Sequence, residues 1–239
     1  MTHFTLVHGA WHGAWCWDRL VTVLAARGHR VSALTQTGLG ERAGELSNRI
    51  TLQTFVDDVV GHLTTQDITD TILVGHSFGG NSITGAAAAA ADRIAGLVYL
   101  DAMVPISGVS PASTVAPDIW AKRRDGAIDV PGVDGETVRC LSPSTADALG
   151  ITDPDDADYV LSRMTPHPIA TYETAIDFDG NPGAGLPVRY VMVTDPVYQP
   201  LSGHRDRARA LGWTLEEIAT GHDAMVTAPD ALADLLTAG

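Results

Sequence analysis

Cysteine is nearly absent: Cys16 and Cys140 are the only two in 239 residues. They form no Cys-x-x-Cys pair and two thiols make no disulfide framework, which points to a reducing compartment. Positive charge is scarce as well. Against 29 acidic residues stand 15 lysines and arginines, a formal net charge of -14. No basic footprint exists to neutralise phosphates, so a nucleic-acid partner is excluded, and binding to an anionic membrane surface is disfavoured. The acidity itself reads as solubility. Long apolar runs are missing too. The most apolar late stretch, Ala86–Ala91, stops at Asp92 and Arg93, far short of a membrane span. No basic segment with an apolar successor precedes "HFTLVHG". The expectation is a cytoplasmic monomer or homodimer with no membrane association.

What is there is ordinary globular material, 45% hydrophobic and 18% charged, of a length that fits one domain with a substantial core. Apolar β-type runs alternate with helical patterns. The runs are "FTLVHG", "RVSALT", "TILVGHS", "AGLVYLDA", "VRYVMVTD" and "WTLEEIATG". Between them Leu52, Phe55, Val56, Val59 and Leu63 share one helical face. Continuous apolar strands separated by helices predict an α/β fold with a mostly parallel sheet of about six strands, covered on both faces. Residues 105–186 break the rhythm with prolines, glycines and short amphipathic pieces. They read as a small, mainly helical cap over the sheet's carboxyl edge, inserted between core segments 1–104 and 187–239. No linker composition marks a separate domain, and apart from one doubled tetrad there is no repeat.

"ILVGHSFGG" carries the sharpest chemistry. Gly75-His76-Ser77-Phe78-Gly79 matches G-x-S-x-G, with a strand before it and a small-residue helix after it. A nucleophile on so sharp a turn needs glycine on either side, and at a helix N-terminus it meets free N–H groups that favour developing negative charge. A serine hydroxyl also needs a base, and that base needs an orienting acid. His222 in "ATGHDAM" lies in the loop after the last strand and suits the base better than His62, His167 or His204. For the acid, two strand ends qualify. Asp195 closes "RYVMVTD" and is biased to extended backbone by Pro196, which makes it the preferred choice. Asp101 closes "LVYLD" and is the alternative, while Asp206 and Asp223 read as helix-start and surface charges.

The doubled tetrad is "LVHGAWHGAWCW". A tetrahedral intermediate needs two N–H donors, and losing one costs about 2.7–4 kcal/mol. Phe78, after the nucleophile, supplies one; the loop after the first strand supplies the other through Ala10. His8 and His12 are four apart, but the glycines place them in a loop and no third ligand follows, so no metal is expected. Trp11, beside the donor, and Trp120, in the cap, are candidates for touching a substrate.

These segments, with "LTQTGLGER", "VYLDAMVP", "MTPHPIATYETAI" and "TGHDAM", resemble the α/β-hydrolase branch that holds plant methyl esterases, plant hydroxynitrile lyases and bacterial pyrethroid-hydrolase-like esterases. The likeness covers nearly the whole chain and implies an α/β-hydrolase fold. It implies a triad of Ser77, Asp195 and His222, with Ala10 and Phe78 as oxyanion donors. The lyases carry threonine where Gly9 stands and lysine where Asp223 stands, and an anionic Asp223 would repel cyanide. The expected activity is therefore a cofactor-free serine carboxylesterase acting on a small or medium apolar ester or lactone. Two other readings are a biosynthetic enzyme using the triad for a polyketide-type lactone, retro-aldol or acyl-transfer step, and a low-turnover ligand-binding homologue. Product analysis and turnover number separate them.

Overall fold

The apolar runs pair with one another in one direction. In the computed structural model, which describes residues 1–238, the strands in chain order are β1 (His3–Val7), β2 (Arg30–Leu34), β3 (Thr71–His76), β4 (Ile94–Leu100), β5 (Ile128–Pro131), β6 (Thr137–Leu141), β7 (His167–Pro168), β8 (Val188–Val193) and β9 (Thr214–Ile218). Six of them form a parallel sheet ordered β2-β1-β3-β4-β8-β9. The helices are α1 (Asp18–Ala26), α2 (Leu52–Thr65), α3 (Gly79–Ala90), α4 (Pro111–Thr114), α5 (Pro117–Asp125), α6 (Ala146–Leu149), α7 (Pro154–Leu161), α8 (Ala170–Glu173), α9 (Ser202–Ala210), α10 (Ala224–Thr227) and α11 (Pro229–Thr237).

Alternation along each strand divides the core. Val98 and Leu100 of β4 pack with Leu20 and Leu24 of α1 and Leu232 of α11 on one face. Leu97 and Tyr99 pack with Val59 and Leu63 of α2 and with Ile83 of α3 on the other. Successive side chains of a strand point to opposite faces, so a strand covered on both sides must be apolar throughout, as β4 is. Each fully buried leucine adds about 2 kcal/mol. A third apolar cluster lies over the carboxyl edge of the sheet, where Trp11, Phe78 and Met103 meet Val115, Cys140 and Tyr172.

That third cluster is roofed by the connection from β4 to β8. It is mainly helical, as residues 105–186 were expected to be, with one element that the sequence did not announce. Strands β5, β6 and β7 form an antiparallel sheet of their own beside short helices α4 to α8. The strands are short and carry no apolar run: β5 is exposed at Ile128 and Asp129, so nothing in its residues signals a strand. Among the described residues no helix is long and apolar enough to cross a membrane.

Candidate active site

Ser77 sits between β3 and α3 with φ at +52°, in the left-handed region that only a tightly constrained turn imposes on a serine. The flanking glycines explain how the turn fits. A Cβ on Gly75 would lie 2.9 Å from the Gly79 carbonyl oxygen, and one on Gly79 would lie 2.6 Å from that of His8. Two backbone bonds fix Ser77 to the end of β4: its N–H donates to Leu100 O at 3.2 Å, and its carbonyl accepts from Met103 N–H at 2.9 Å.

His222 Nε2 lies 2.9 Å from Ser77 Oγ, and its Nδ1 lies 2.7 Å from Asp101 Oδ2. A carboxylate only accepts, so Nδ1 carries the proton and Nε2 is free to accept from the serine hydroxyl. Asp101 is fully buried. Its other oxygen accepts from Arg205 of α9, at 3.1 Å from Nε and 2.7 Å from Nη2. The carboxylate is thus shared between a fixed guanidinium and the imidazole, which holds its orientation.

Asp195, the acid favoured from sequence, is not brought to His222. It is exposed, and its N–H donates to Thr220 O at 3.3 Å. The reason is register. Leu100 is level with Val191, so Asp101 begins where the sheet ends on β4. β8 runs on beside β9 through Val193, paired with Ile218. At the usual rise per residue, Asp195 lies roughly 13 Å beyond Val191 along the strand. The loop that follows delivers a different group. Tyr198 stacks on the His222 ring with centroids 3.8 Å apart and planes 15° from parallel. His76 flanks the same imidazole at 4.5 Å.

The two His-Gly-Ala-Trp copies form one clamp. His8 Nε2 accepts from Gln36 N–H at 3.0 Å, so its Nδ1–H donates to Gly9 O at 2.8 Å. Burial pushes His8 down to about 3, which keeps this neutral tautomer. Gly9 C=O and Ala10 N–H belong to one peptide unit, so holding the carbonyl aims the N–H and strengthens it as a donor. Among the described residues the N–H groups of Ala10 and Phe78 donate to no protein acceptor, as a pair of oxyanion donors requires. His12 behaves differently. Its Nδ1–H donates to Ala10 O at 2.7 Å and its Nε2–H to Asp223 Oδ2 at 3.0 Å, which only an imidazolium can do together. Burial opposes the charge on His12, but Asp223 outweighs it and leaves His12 raised. Burial likewise opposes the Asp223 carboxylate, yet His12 and the neighbouring histidines hold it at about 2.

Asp223 is therefore neither a surface charge nor a group facing substrate. It is fully buried behind His222 and turned toward His12, and His76 Nε2–H donates to His222 O at 3.0 Å beside it. His8 and His12 address separate partners and do not converge on one point. The cap contributes as well. Trp11 has φ at +67°, its N–H donates to His167 Nδ1 at 3.4 Å, and its carbonyl accepts from Thr165 N–H at 2.9 Å. Burial brings His167 down to about 3, so it stays neutral and donates through Nε2 to Thr171 Oγ1 at 2.7 Å. No sequence signal flagged Tyr198, Arg205 or the His12–Asp223 pair, and His167 was weighed only as a base, because each meets a partner distant in the chain.

A cavity of only about 20 Å³ adjoins Ser77. Trp11, Met103, Val115, Tyr172 and Tyr198 line it with Arg123. Trp11, a substrate-contact candidate from the sequence, is part of that lining. Trp120 does not reach the cavity wall; it stacks behind Tyr172 with centroids 5.6 Å apart.

Known proteins resemble this arrangement over its whole length. The alpha/beta hydrolase family model matches residues 6–235. A carbendazim hydrolyzing esterase from Nocardioides sp. (strain SG-4G) is 36% identical over 100% of this chain and 99% of its own. A probable esterase, PIR7A, from Oryza sativa subsp. indica is 29% identical over 98% of this chain and 95% of its own. Among solved structures, an extracellular alpha/beta-hydrolase from a Paenibacillus species superposes with a TM-score of 0.82 at 25% identity, covering 100% of this chain and 98% of that one.

Proposed function

Because the chain belongs to the alpha/beta hydrolase family and its full-length relatives are esterases, we propose that it is a cofactor-free serine carboxylesterase whose nucleophile is Ser77. The observation that carries this reading is the hydrogen-bonded line Ser77–His222–Asp101, with unpaired N–H groups at Ala10 and Phe78 beside it. His222 takes the Ser77 proton as Oγ attacks the ester carbonyl. The N–H groups of Ala10 and Phe78 hold the oxyanion, and His222 returns the proton to the departing alcohol. Water then repeats the sequence on the acyl-enzyme and releases the acid. Asp101 fixes the tautomer and stabilises the imidazolium, and the Tyr198 ring face lies against that cation. The connection over the carboxyl edge acts as the cap. Its apolar lining supports a small or medium ester or lactone as substrate.

Activated p-nitrophenyl esters test this directly. Ser77→Ala and Asp101→Asn each lose activity on the order of 10⁴-fold, whereas Asp195→Asn stays within about twofold of wild type. A serine-reactive phosphonate labels Ser77 alone. Labelling at another serine, or loss of activity in Asp195→Asn with Asp101→Asn unaffected, overturns the assignment.

A further inference from the structure

Arg123 is the one charged side chain in the lining of the cavity beside Ser77. It projects from α5 and is half-buried, while its neighbours Lys122 and Arg124 are exposed. Among the described residues it has no carboxylate within 4.0 Å, in a chain with 29 acidic residues to choose from, and its side-chain hydrogen bond goes to the phenol of Tyr198. Its charge instead falls on the phenols of Tyr172 and Tyr198, which burial raises and Arg123 draws back down. Trp11 shares the cavity, and its indole N–H has no acceptor.

A half-buried guanidinium at a wall of phenols and apolar side chains gives up part of its hydration, and an anionic oxygen offsets that loss better than the neutral phenol of Tyr198 does. We propose that Arg123 receives a carboxylate carried by the substrate, so that the preferred class is short esters bearing a free carboxylate, such as half-esters of dicarboxylic acids. This rests on Ser77 as the nucleophile: with the ester carbonyl at Ser77, a short acyl chain brings its second carboxylate to the cavity wall. Planar, forked donors match a carboxylate in a bidentate pair, which arginine provides and lysine does not. A net charge of -14 opposes an anion at long range, so recognition depends on this local cation.

The test compares monomethyl glutarate with dimethyl glutarate. Calorimetry on Ser77→Ala, which binds without turnover, gives at least tenfold tighter binding of the monoester. Arg123→Met in that background removes the preference, and Arg123→Lys retains part of it. Thermal unfolding of each variant accompanies the titrations. Equal binding of the two esters by Ser77→Ala overturns the proposal, and so does a preference that survives in folded Arg123→Met. Hydrolysis by the Ser77-containing protein is measured separately. Turnover of both esters with no charge preference removes the role of Arg123 and leaves Ser77 standing. Arg123-dependent binding with no turnover of either ester removes the esterase reading and leaves the carboxylate site standing.

Discussion

The two copies of His-Gly-Ala-Trp share four letters and almost nothing physical. In the first, His8 is neutral and holds a single carbonyl, and Gly9 lies so close to the Ser77 turn that a Cβ would stand 2.8 Å from Ser77 Cβ. In the second, His12 is charged and bridges Ala10 to Asp223, and Trp15 stacks on it with centroids 5.2 Å apart. The first copy leaves the Ala10 N–H without a protein acceptor, free for the proposed oxyanion. The second ties that donor's loop to the loop of His222. Identical residues take opposite protonation states because one ring faces a backbone N–H and the other a buried carboxylate.

Substituting the first glycine has the largest effect. Gly9→Ala forces its new Cβ against Ser77 and His76 and displaces the Ala10 donor, so kcat on an activated ester falls about 10²–10³-fold, the usual cost of a lost oxyanion donor. A kcat within twofold of wild type would erase the distinction between the copies.

Breaking the second copy acts on stability first. Asp223→Asn leaves His12 without its counter-charge and costs about 3 kcal/mol of unfolding free energy. Its pH dependence carries the signature. His12 is raised above its unfolded value, so its contribution is complete below pH 6.5 and fades as pH climbs through the raised value. Asp223 is depressed from 3.8 to about 2, so its contribution is complete above 3.8 and fades toward 2. The gap in melting temperature between wild type and Asp223→Asn is therefore wider at pH 5 than at pH 9. A gap that widens toward pH 9 contradicts the charged state of His12.

The smallest effect separates the other histidines. His8 and His167 fall from 6.5 to about 3, so the folded state keeps them neutral. Their stabilising contribution is full above 6.5 and is lost as pH drops toward 3, the reverse of His12. Denaturant midpoints of the wild type decline from pH 6.5 to pH 4.5. A flat profile across that range removes the contrast between the histidines.

Some of this was legible in the residues alone. The strands, the Ser77 turn and the His222 loop follow from apolar runs and glycine placement, which are local features. The acid was not. Asp101 and Asp195 both end apolar strands, and only register reveals that β8 overshoots the edge where β4 stops. Asp223 looked like a surface charge because His12, its partner, is 211 positions away. The small sheet in the cap was invisible because β5 exposes the residues by which a strand would be recognised.

The narrowness of the cavity also bears on the order of events in the proposed reaction. An ester seated beside Ser77 fills the space between Trp11, Met103 and Tyr172 and leaves little of it for the hydrolytic water. It enters the room vacated by the departing alcohol, so acyl transfer to water and to a second small alcohol compete for one vacancy. On that reading the partition between hydrolysis and transesterification is a property of the roof, set by what slips beneath it first, and not of the Ser77–His222–Asp101 line.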